Sequence, residues 1–372
     1  MKLKIAVLSG DGIGPEVTNQ AIKILKAIEQ VFSHQFEFQK ALVGAIAIDS
    51  TGNPLPVETL KLCSESDAVL FGAIGDPKYD NNPDAKVRPE QGLLRLRKEL
   101  GLFANIRPIK AFDSLIEKSP LKRNIIEGTD MVIFRELTGG IYFGEKKLSD
   151  DGKIASDLCE YSQLEIERIA HLAFKSAQIR RKKLTLVDKA NVLETSRLWR
   201  RVVTNLAQEY PDVLLDFLFV DNAAMQMILN PRQFDVILTE NLFGDIISDE
   251  GSVIGGSIGL LASASIGHHN AMFEPIHGSY PQAKGKNIAN PIAAILSAAM
   301  LLEHFGLKQE SEVVHKAVEE ALEMNIVTPD LNVVRSFSTD YVGDFITTII
   351  LNGTENSYCN LENISLGKSS LI

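Results

Sequence analysis

The sequence is short of cysteine, of long apolar runs and of positive charge, and each shortage excludes a class of protein. Its 372 residues include three cysteines, an odd number that argues against a disulfide framework and favours a reducing compartment. The longest apolar stretch, 292–302, is too short to span a bilayer, and the run at 5–8 is too short for a signal peptide. With 38 Lys and Arg against 48 Asp and Glu, the net charge of −10 argues against nucleic acid or a membrane as partner. We therefore expect a cytoplasmic protein that must concentrate its cations locally to hold an anionic substrate.

What the chain does contain is a repeated alternation of strand, glycine turn and helix. Its length favours two domains, and 45% apolar residues allow a large core. The apolar run 5–9 turns at Gly10–Pro15 into a segment with the apolar spacing of one helix face, and similar units recur around 68–74 and 184–188. This alternation predicts an α/β fold with a mainly parallel sheet. The run 292–302 is predicted to be a core helix.

The segment from Met131 to Tyr161 has a different pattern. A strand at 131–134 is followed by turn residues at Gly139-Gly140 and at 150–152, on either side of 141–147. This pattern predicts a β-hairpin arm. Because such an arm cannot bury its own apolar residues, we expect it to pack on a partner subunit.

Acidic residues follow two apolar runs and suggest a metal site. Asp245 and Asp249 are four residues apart in a segment of helical spacing, so their carboxylates share one face. Asp221 follows the apolar run 213–220. Hard oxygen ligands suit Mg²⁺ or Mn²⁺. The alternative is an acidic pair on a solvated helix face.

Cationic residues at predicted element ends form a second group. Arg97, Arg107 and Arg135 fit a substrate with two carboxylates, each gripped by a guanidinium fork, although each alone is more typical of a surface ion pair. Lys189 follows a buried strand and is either a salt-bridge partner or a group that exchanges protons near a metal. Tyr142 accompanies it in the segment Gly140–Gly144.

Two glycine-containing loops raise the question of a nucleotide. Gly10-Asp11-Gly12-Ile13-Gly14 departs from the dinucleotide pattern, because the third glycine should fall where Pro15 stands. We therefore interpret this turn as a wall of a site. The polar loop 273–291 precedes the predicted helix, with Asn290 as its N-cap, and suits a phosphate or an adenine ribose. An ordinary surface loop is the alternative.

Taken together, these segments resemble the β-decarboxylating dehydrogenases that act on isocitrate and isopropylmalate. The resemblance covers roughly residues 1–350, and its motifs stand in order along the chain. It implies oxidation of a 2-hydroxy acid at C2 by hydride transfer to NAD⁺, then loss of the C3 carboxylate as CO₂. The motifs are Gly10–Glu16, Gly92–Lys98, Arg135–Gly144, Asp188–Val192, Asn241–Glu250 and His277–Ser279.

The same resemblance implies an architecture. Two α/β domains share a continuous mixed sheet, the first formed by 1–103 plus 255–372 and the second by 104–254. The enzyme is a homodimer, with the hairpin arm at the dimer contact and an active site built from both subunits.

The resemblance also implies roles for individual residues. Lys189 removes the proton of the C2 hydroxyl, with Asp188 orienting it, and Tyr142 protonates the enol at C3. Asp221 of the partner subunit joins Asp245 and Asp249 in holding Mg²⁺ or Mn²⁺. The expected substrate contacts are Leu93, Leu94, Arg97, Arg107, Arg135, Asn191, Val192 and Asp221, and the expected NAD contacts are Ile13, Glu274, His277, Gly278, Ser279, Tyr280, Gln282, Ala283 and Asn290.

Two groups of residues bear on the choice of substrate and of cofactor. Leu93 and Leu94, with Val192, predict a pocket for the isopropyl group of 3-isopropylmalate, the leucine-biosynthesis substrate, because they would leave the third carboxylate of isocitrate desolvated. Gln282 stands where many relatives carry an Asp that repels NADP⁺, so we expect NAD⁺ with weakened discrimination; Lys284 would attract a 2′-phosphate. The rivals are a silent regulatory subunit and an enzyme for malate, tartrate or homoisocitrate.

Overall fold

A mixed sheet of ten strands organises the part of the chain that the structure, a computed structural model, describes: residues 1–82 and 85–353. The strand order is β2-β1-β3-β12-β11-β4-β5-β10-β8-β9, and β6 pairs only with β7. The strands are β1 (Lys2–Gly10), β2 (Gln35–Lys40), β3 (Ala68–Ala73), β4 (Ala104–Lys110), β5 (Asp130–Glu136), β6 (Lys146–Leu148), β7 (Ala155–Asp157), β8 (Lys183–Asp188), β9 (Leu214–Phe219), β10 (Val236–Thr239), β11 (Ala262–Ile266) and β12 (Ala271–Pro275).

Helices connect these strands. The longest, α1, follows the glycine turn after β1. The helices are α1 (Gly14–Phe32), α2 (Ala45–Thr51), α3 (Val57–Ser64), α4 (Pro77–Asp80), α5 (Pro89–Glu99), α6 (Arg123–Ile126), α7 (Gln163–Ile179), α8 (Glu194–Leu206), α9 (Val220–Leu229), α10 (Asn241–Gly255), α11 (Ile292–His304), α12 (Lys308–Glu323) and α13 (Thr339–Asn352). The predicted α/β class with a continuous mixed sheet is confirmed.

The sheet changes direction at its centre. β5, β10, β8 and β9 run parallel to one another, whereas β4 is antiparallel to both β11 and β5. Residues 1–103 and 255–353 supply the five strands from β2 to β11, and residues 104–254 supply the five from β4 to β9. The parallel run therefore places the carboxyl ends of four strands at one edge of the sheet, where the acidic and basic residues of interest follow them.

One large apolar cluster packs along the sheet from β1 to β10 and includes α11, and two smaller clusters lie apart from it. Residues 292–302 of this helix are all buried, which confirms the predicted core helix. Each fully buried leucine or isoleucine contributes roughly 1.5–3 kcal/mol. The Asn290 side chain accepts a hydrogen bond from the Ile292 N–H at 3.0 Å. The N-cap position is Pro291, one residue later than the predicted Asn290.

The arm differs in detail from the predicted hairpin. Gly140–Tyr142 form a turn of 3₁₀ helix, and the hairpin strands are the short β6 and β7 that follow. Gly139-Gly140 is a site of close packing, since a Cβ on Gly140 would lie 2.3 Å from the Tyr161 hydroxyl oxygen. The two glycines therefore let the chain pass over Tyr161 before the hairpin begins.

Two further expectations concern cysteine and membranes. Cys63 is buried and Cys159 partly buried, both as free thiols, while Cys359 lies outside the described residues, as does the polar tail. Within 1–82 and 85–353, no helix is both long and apolar enough to cross a membrane.

Candidate active site

The start of α10 carries the acidic pair over two buried arginines. Asp245 and Asp249 lie one turn apart on this helix, as their spacing predicts. Gly244 allows the helix to approach β5, since a Cβ there would lie 2.6 Å from the Cγ of Arg135. The absence of a side chain at Gly244 thus makes room for the arginine.

Arg107 and Arg135 neutralise the acidic pair. Arg135 donates to Asp245 at 2.5 Å, and Arg107 lies 3.6 Å from Asp245 and 3.5 Å from Asp249. Burial by itself would raise the pKa of Asp245, but Arg135, Tyr142 and Arg107 hold it below its usual value. Burial raises the pKa of Asp249 despite Arg107. Asp245 is therefore the more firmly ionised member of the pair.

Asn241 fixes the orientation of Arg135. Its side-chain oxygen accepts from the Arg135 guanidinium at 2.8 and 3.1 Å, and its carbonyl accepts at 2.9 Å. Its N–H donates to the Tyr161 hydroxyl at 2.9 Å. Burial lowers the pKa of Arg135, but a guanidinium with these acceptors remains a cation. Asn241 belongs to a predicted motif, yet this positioning role was missed, because it depends on the approach of β5.

Tyr142 joins the same cluster from the 3₁₀ turn. Its hydroxyl donates to the second carboxylate oxygen of Asp245 at 2.7 Å, and the Arg135 guanidinium lies 5.6 Å from its ring centre. Burial, with this hydrogen bond, raises the pKa of Tyr142 to about 12. The phenol is thus a proton donor held against the acid that faces the arginines.

Lys189 and Asp221 pair with each other at a different place. Lys189 follows β8, Asp221 lies in the first turn of α9 after the neighbouring β9, and their side chains form an ion pair. Asp188 was expected to orient Lys189, but its carboxylate binds Arg200 at 2.6 and 3.1 Å. No group of three acidic, His or Cys residues suited to a metal occurs within residues 1–82 and 85–353.

The candidate substrate pocket starts on α5. Leu93 and Leu94 are partly buried, and Leu93 packs on the apolar cluster around Leu96. Arg97, on the same helix, pairs with Glu274 at 2.9 Å, and its Nε has no partner in the described part of the chain. Asn191 and Val192 lie in the loop after β8, with Val192 61% exposed.

The candidate cofactor loop presents only part of the predicted set. Gly278, Tyr280 and Gln282 are exposed, and His277 is buried with its Nε2 unpartnered among the described residues. Ser279 is buried, and its carbonyl accepts from the Ile13 N–H at 2.8 Å. Four of the nine residues have side chains that are buried and engaged within the protein: Ile13 and Ala283 in the apolar core, Glu274 with Arg97, and Asn290 with Asp330. The set of nine cofactor contacts stays a prediction.

The first glycine turn supports this loop. Gly12 has φ +58°, and a Cβ there would lie 1.9 Å from the Ser279 carbonyl oxygen. The turn is therefore filled by protein backbone, in agreement with its interpretation as a wall. Glu16 adds an anchor that sequence reasoning missed, since its carboxylate accepts from the N–H groups of Gly285 at 2.5 Å and Asn287 at 3.1 Å. The signal was its place at the end of the motif Gly10–Glu16.

Comparison with known proteins identifies the family. Residues 4–346 match the model of the isocitrate/isopropylmalate dehydrogenases. The chain belongs to the isocitrate/isopropylmalate dehydrogenase family. It is 55% identical to 3-isopropylmalate dehydrogenase of Bacteroides fragilis over 94% of this chain and 99% of that protein, and 50% identical to the Bacillus subtilis enzyme of the same name over 97% and 100%.

Solved structures agree with this assignment. The chain matches isocitrate dehydrogenase from Methylococcus capsulatus with a TM-score of 0.85 at 34% identity, covering 94% of this chain and 99% of that one. It matches a β-decarboxylating dehydrogenase from Thermococcus kodakarensis with a TM-score of 0.78 at 36% identity, covering 95% and 97%. As a member of this family the protein is an oxidoreductase, which confirms the resemblance drawn from the motifs.

Proposed function

We propose that this protein oxidises 3-isopropylmalate at C2 with NAD⁺ and releases the C3 carboxylate as CO₂, a step of leucine biosynthesis. The observation that carries the proposal is the cluster in which the buried Arg107 and Arg135 meet the half-buried Asp245 and Tyr142. It offers two guanidinium groups for carboxylates and a phenol for proton transfer at one point. The relatives at 50–55% identity, which are 3-isopropylmalate dehydrogenases by name, support the substrate.

The arginines and α5 would bind the substrate from two sides. Arg107 and Arg135 are held in place by Ser248 and Asn241, so their forks are ordered before substrate arrives. Arg97 lies near enough for its charge to act on Arg107 and Asp245, although Glu274 already pairs with it. Binding a dicarboxylate would therefore exchange protein carboxylates for substrate carboxylates.

The acids of α10 fit a divalent cation only in part. Asp245 and Asp249 supply partly exposed hard oxygens one turn apart, but residues 1–82 and 85–353 offer no third acid, His or Cys that would complete a metal-binding group. Asp221 of the partner subunit would complete the set. Mg²⁺ or Mn²⁺ held there would supply Lewis acidity for negative charge that develops on the C2 oxygen.

Two residues would move the protons. Lys189 would take the proton of the C2 hydroxyl as the hydride passes from C2 to the nicotinamide, which leaves a ketone. The carbon–carbon bond to the C3 carboxylate then breaks, and Tyr142 would donate its proton to C3 of the resulting enol. Since Lys189 pairs with Asp221 and not with the Asp245 cluster, the partner subunit's Lys189 is the one we assign to this step.

Exposed apolar residues support a homodimer. Leu148 and Ile154 on the arm are exposed, as are Met225 and Leu229 on α9 and Ile246 on α10. Apolar side chains grouped in this way are typical of an interface between subunits. A dimer through the arm, α9 and α10 would bring Asp221 of one chain towards Asp245 of the other. The arm, α9 and α10 belong to the proposed second domain, residues 104–254. The proposed first domain consists of residues 1–103 plus 255–372.

The loop 277–282 would hold NAD⁺. The unpartnered Nε2 of the buried His277 can hydrogen-bond the nucleotide, and Gly278 leaves open space beside it. The exposed Gln282 can bond an adenine ribose hydroxyl without the charge that repels a 2′-phosphate. We therefore assign NAD⁺ as cofactor with weak discrimination against NADP⁺.

The side chain at C3 of the substrate would lie against Leu93 and Leu94. An isopropyl group gains roughly 1.5–3 kcal/mol by burial, whereas a carboxylate left unpaired there costs several kcal/mol. Replacing Leu93→Ser together with Leu94→Asn should therefore raise isocitrate turnover relative to that of 3-isopropylmalate. An unchanged ratio in the purified double variant would refute this pocket.

The test of the function is NADH formation by the purified protein. We expect turnover of 3-isopropylmalate that requires Mg²⁺ or Mn²⁺, little turnover of isocitrate, and tighter binding of NAD⁺ than of NADP⁺. Turnover of isocitrate alone would overturn the substrate, and an equal or lower dissociation constant for NADP⁺ would overturn the cofactor. Absence of turnover with any of these would favour a silent regulatory subunit.

A further inference from the structure

Three neighbouring parallel strands end in acidic residues at one edge of the sheet. β5 ends at Glu136, β8 ends at Asp188, and Glu240 follows β10, which lies between them. All three side chains are buried. Adjacent strands are only about 4.8 Å apart, so the Glu240 carboxyl lies between two other acids.

The flanking acids have partners, whereas the Oε2 of Glu240 has none among residues 1–82 and 85–353. Glu136 accepts from the N–H groups of Thr138 and Gly139 and pairs with Arg168, and Asp188 pairs with Arg200. Glu240 is 5% exposed, and its Oε2 has no hydrogen-bond partner within the described residues. A carboxylate at this position would be a third buried negative charge without a cation of its own.

Burial and two neighbouring acids favour the neutral form of the Glu240 carboxyl group. Burial, then Asp188 and Glu136, raise the pKa of Glu240 to about 7. The acids that face it are Asp188, which is bound by Arg200, and Glu136, which is bound by Arg168. Cys159 and Tyr161 face it as well. Burial and the nearby acids raise the pKa values of this thiol and this phenol. Neither neighbouring thiol nor phenol supplies a positive charge.

Glu240 is coupled through the backbone to groups that orient the proposed site. The next residue, Asn241, holds the Arg135 guanidinium and donates to Tyr161. The Glu240 carbonyl accepts from Gly244, over which Arg135 lies. On the other side, Asp188 directly precedes Lys189. A shift of the Glu240 side chain would thus act on Asn241, which orients Arg135, and on Asp188, which precedes Lys189 in the chain.

We propose that Glu240 is a positioning residue that acts as a neutral carboxylic acid: without a charge it adds no repulsion where the carboxyl ends of β5, β10 and β8 meet, so Asn241 and Arg135 keep their binding geometry. Ionisation of Glu240 adds repulsion towards Asp188 and Glu136 and displaces the start of α10. This inference rests on the proposed function only for the role of Arg135 in substrate binding.

The charge state of Glu240 can be tested without activity. Because the folded carboxyl holds its proton more tightly than an ordinary one, its proton stabilises the fold fully below pH 4.5, and this contribution is lost as the pH rises towards about 7. Glu240→Gln should therefore match the wild type in melting temperature at pH 5 and melt several degrees higher at pH 8.5. The exposed Glu323→Gln at the end of α12 is the matched control and should follow the wild type.

The positioning role needs a kinetic readout. The KM of the wild type for 3-isopropylmalate should rise several-fold relative to that of Glu240→Gln between pH 6 and pH 8.5, while kcat follows the same pH profile in both. Glu240→Met provides a second neutral side chain. If both neutral variants melt below the wild type at every pH, or if the KM profiles are parallel, the proposal is wrong. If 3-isopropylmalate is not turned over at all, the melting comparison still decides the charge state.

Discussion

The two sides of the start of α10 differ in the charge state that they impose on a buried carboxyl group. Asp245 faces Arg135 and Arg107, which hold its pKa below the usual value, whereas Glu240, five residues earlier, faces Asp188 and Glu136, and its pKa is raised to about 7. Burial penalises the charged form of both. The neighbouring side chain, a cation in one case and an acid in the other, therefore decides which carboxyl is ionised.

This contrast separates binding from support. On the Asp245 side, Asp245 and the two arginines are partners that ligands can replace. A substrate carboxylate can take the place of Asp245 at the arginines, and a divalent cation can take the place of the arginines at Asp245. On the Glu240 side, the acids are bound by backbone N–H groups and by arginines of α7 and α8. One helix end thus joins exchangeable ion pairs to acids that are held by fixed partners within the protein.

Asp245→Asn should have the largest effect, because it removes the anion shared by both arginines and one proposed metal ligand. Loss of several kcal/mol of electrostatic stabilisation corresponds to a fall in kcat of at least about 1,000-fold. Steady-state kinetics over a titration of Mn²⁺ would measure it. Asp249→Asn is the control and should lose less, since Asp249 is more exposed and has only the 3.5 Å contact to Arg107. Activity close to that of the wild type in Asp245→Asn would contradict the assignment.

Tyr142→Phe should sharpen the contrast, since it removes a proton donor and leaves both arginines on Asp245. Loss of a general acid lowers kcat by about 100-fold or more, and KM should change little. The two constants, measured together, distinguish a proton donor from a binding group. A higher KM at an unchanged kcat would mean that the phenol binds substrate and does not transfer a proton.

Local patterns were enough to predict the α/β fold and the place of Asp245 and Asp249 one turn apart on a helix. The roles of this pair and of Arg107 and Arg135 came from the family resemblance and stay predictions. The contact between Arg135 and Asp245 joins residues 110 apart, and the choice of this partner was not visible in the sequence. The charge state of Glu240 was missed for the same reason, since it depends on which strands flank β10.

The hairpin and the cofactor loop show a second limit of sequence reasoning. Gly139-Gly140 was interpreted as a turn signal, but these glycines are required by the close approach of Tyr161. Ala283 and Ile13 are predicted to contact the cofactor, and the structure places their apolar side chains in the core, which the motif alone did not reveal. A motif identifies a segment; which of its side chains face a ligand depends on packing from distant parts of the chain.

Arg200→Met has the smallest expected effect and removes the ion pair with Asp188 on the Glu240 side of α10. It leaves the buried Asp188 without its ion-pair partner, but Arg200 is itself 33% exposed, so water enters and limits the cost to about 2 kcal/mol of unfolding free energy. Urea unfolding would measure this loss, and adding Asp188→Asn should recover part of it, because the unpaired charge is then removed. If the losses in unfolding free energy from the two substitutions instead add, without any recovery, then Arg200 stabilises the protein by packing on Phe217 and Phe219. Its guanidinium lies 5.0 and 5.1 Å from the centres of these two rings. In that case the ion pair beside Glu240 does not stabilise this part of the sheet.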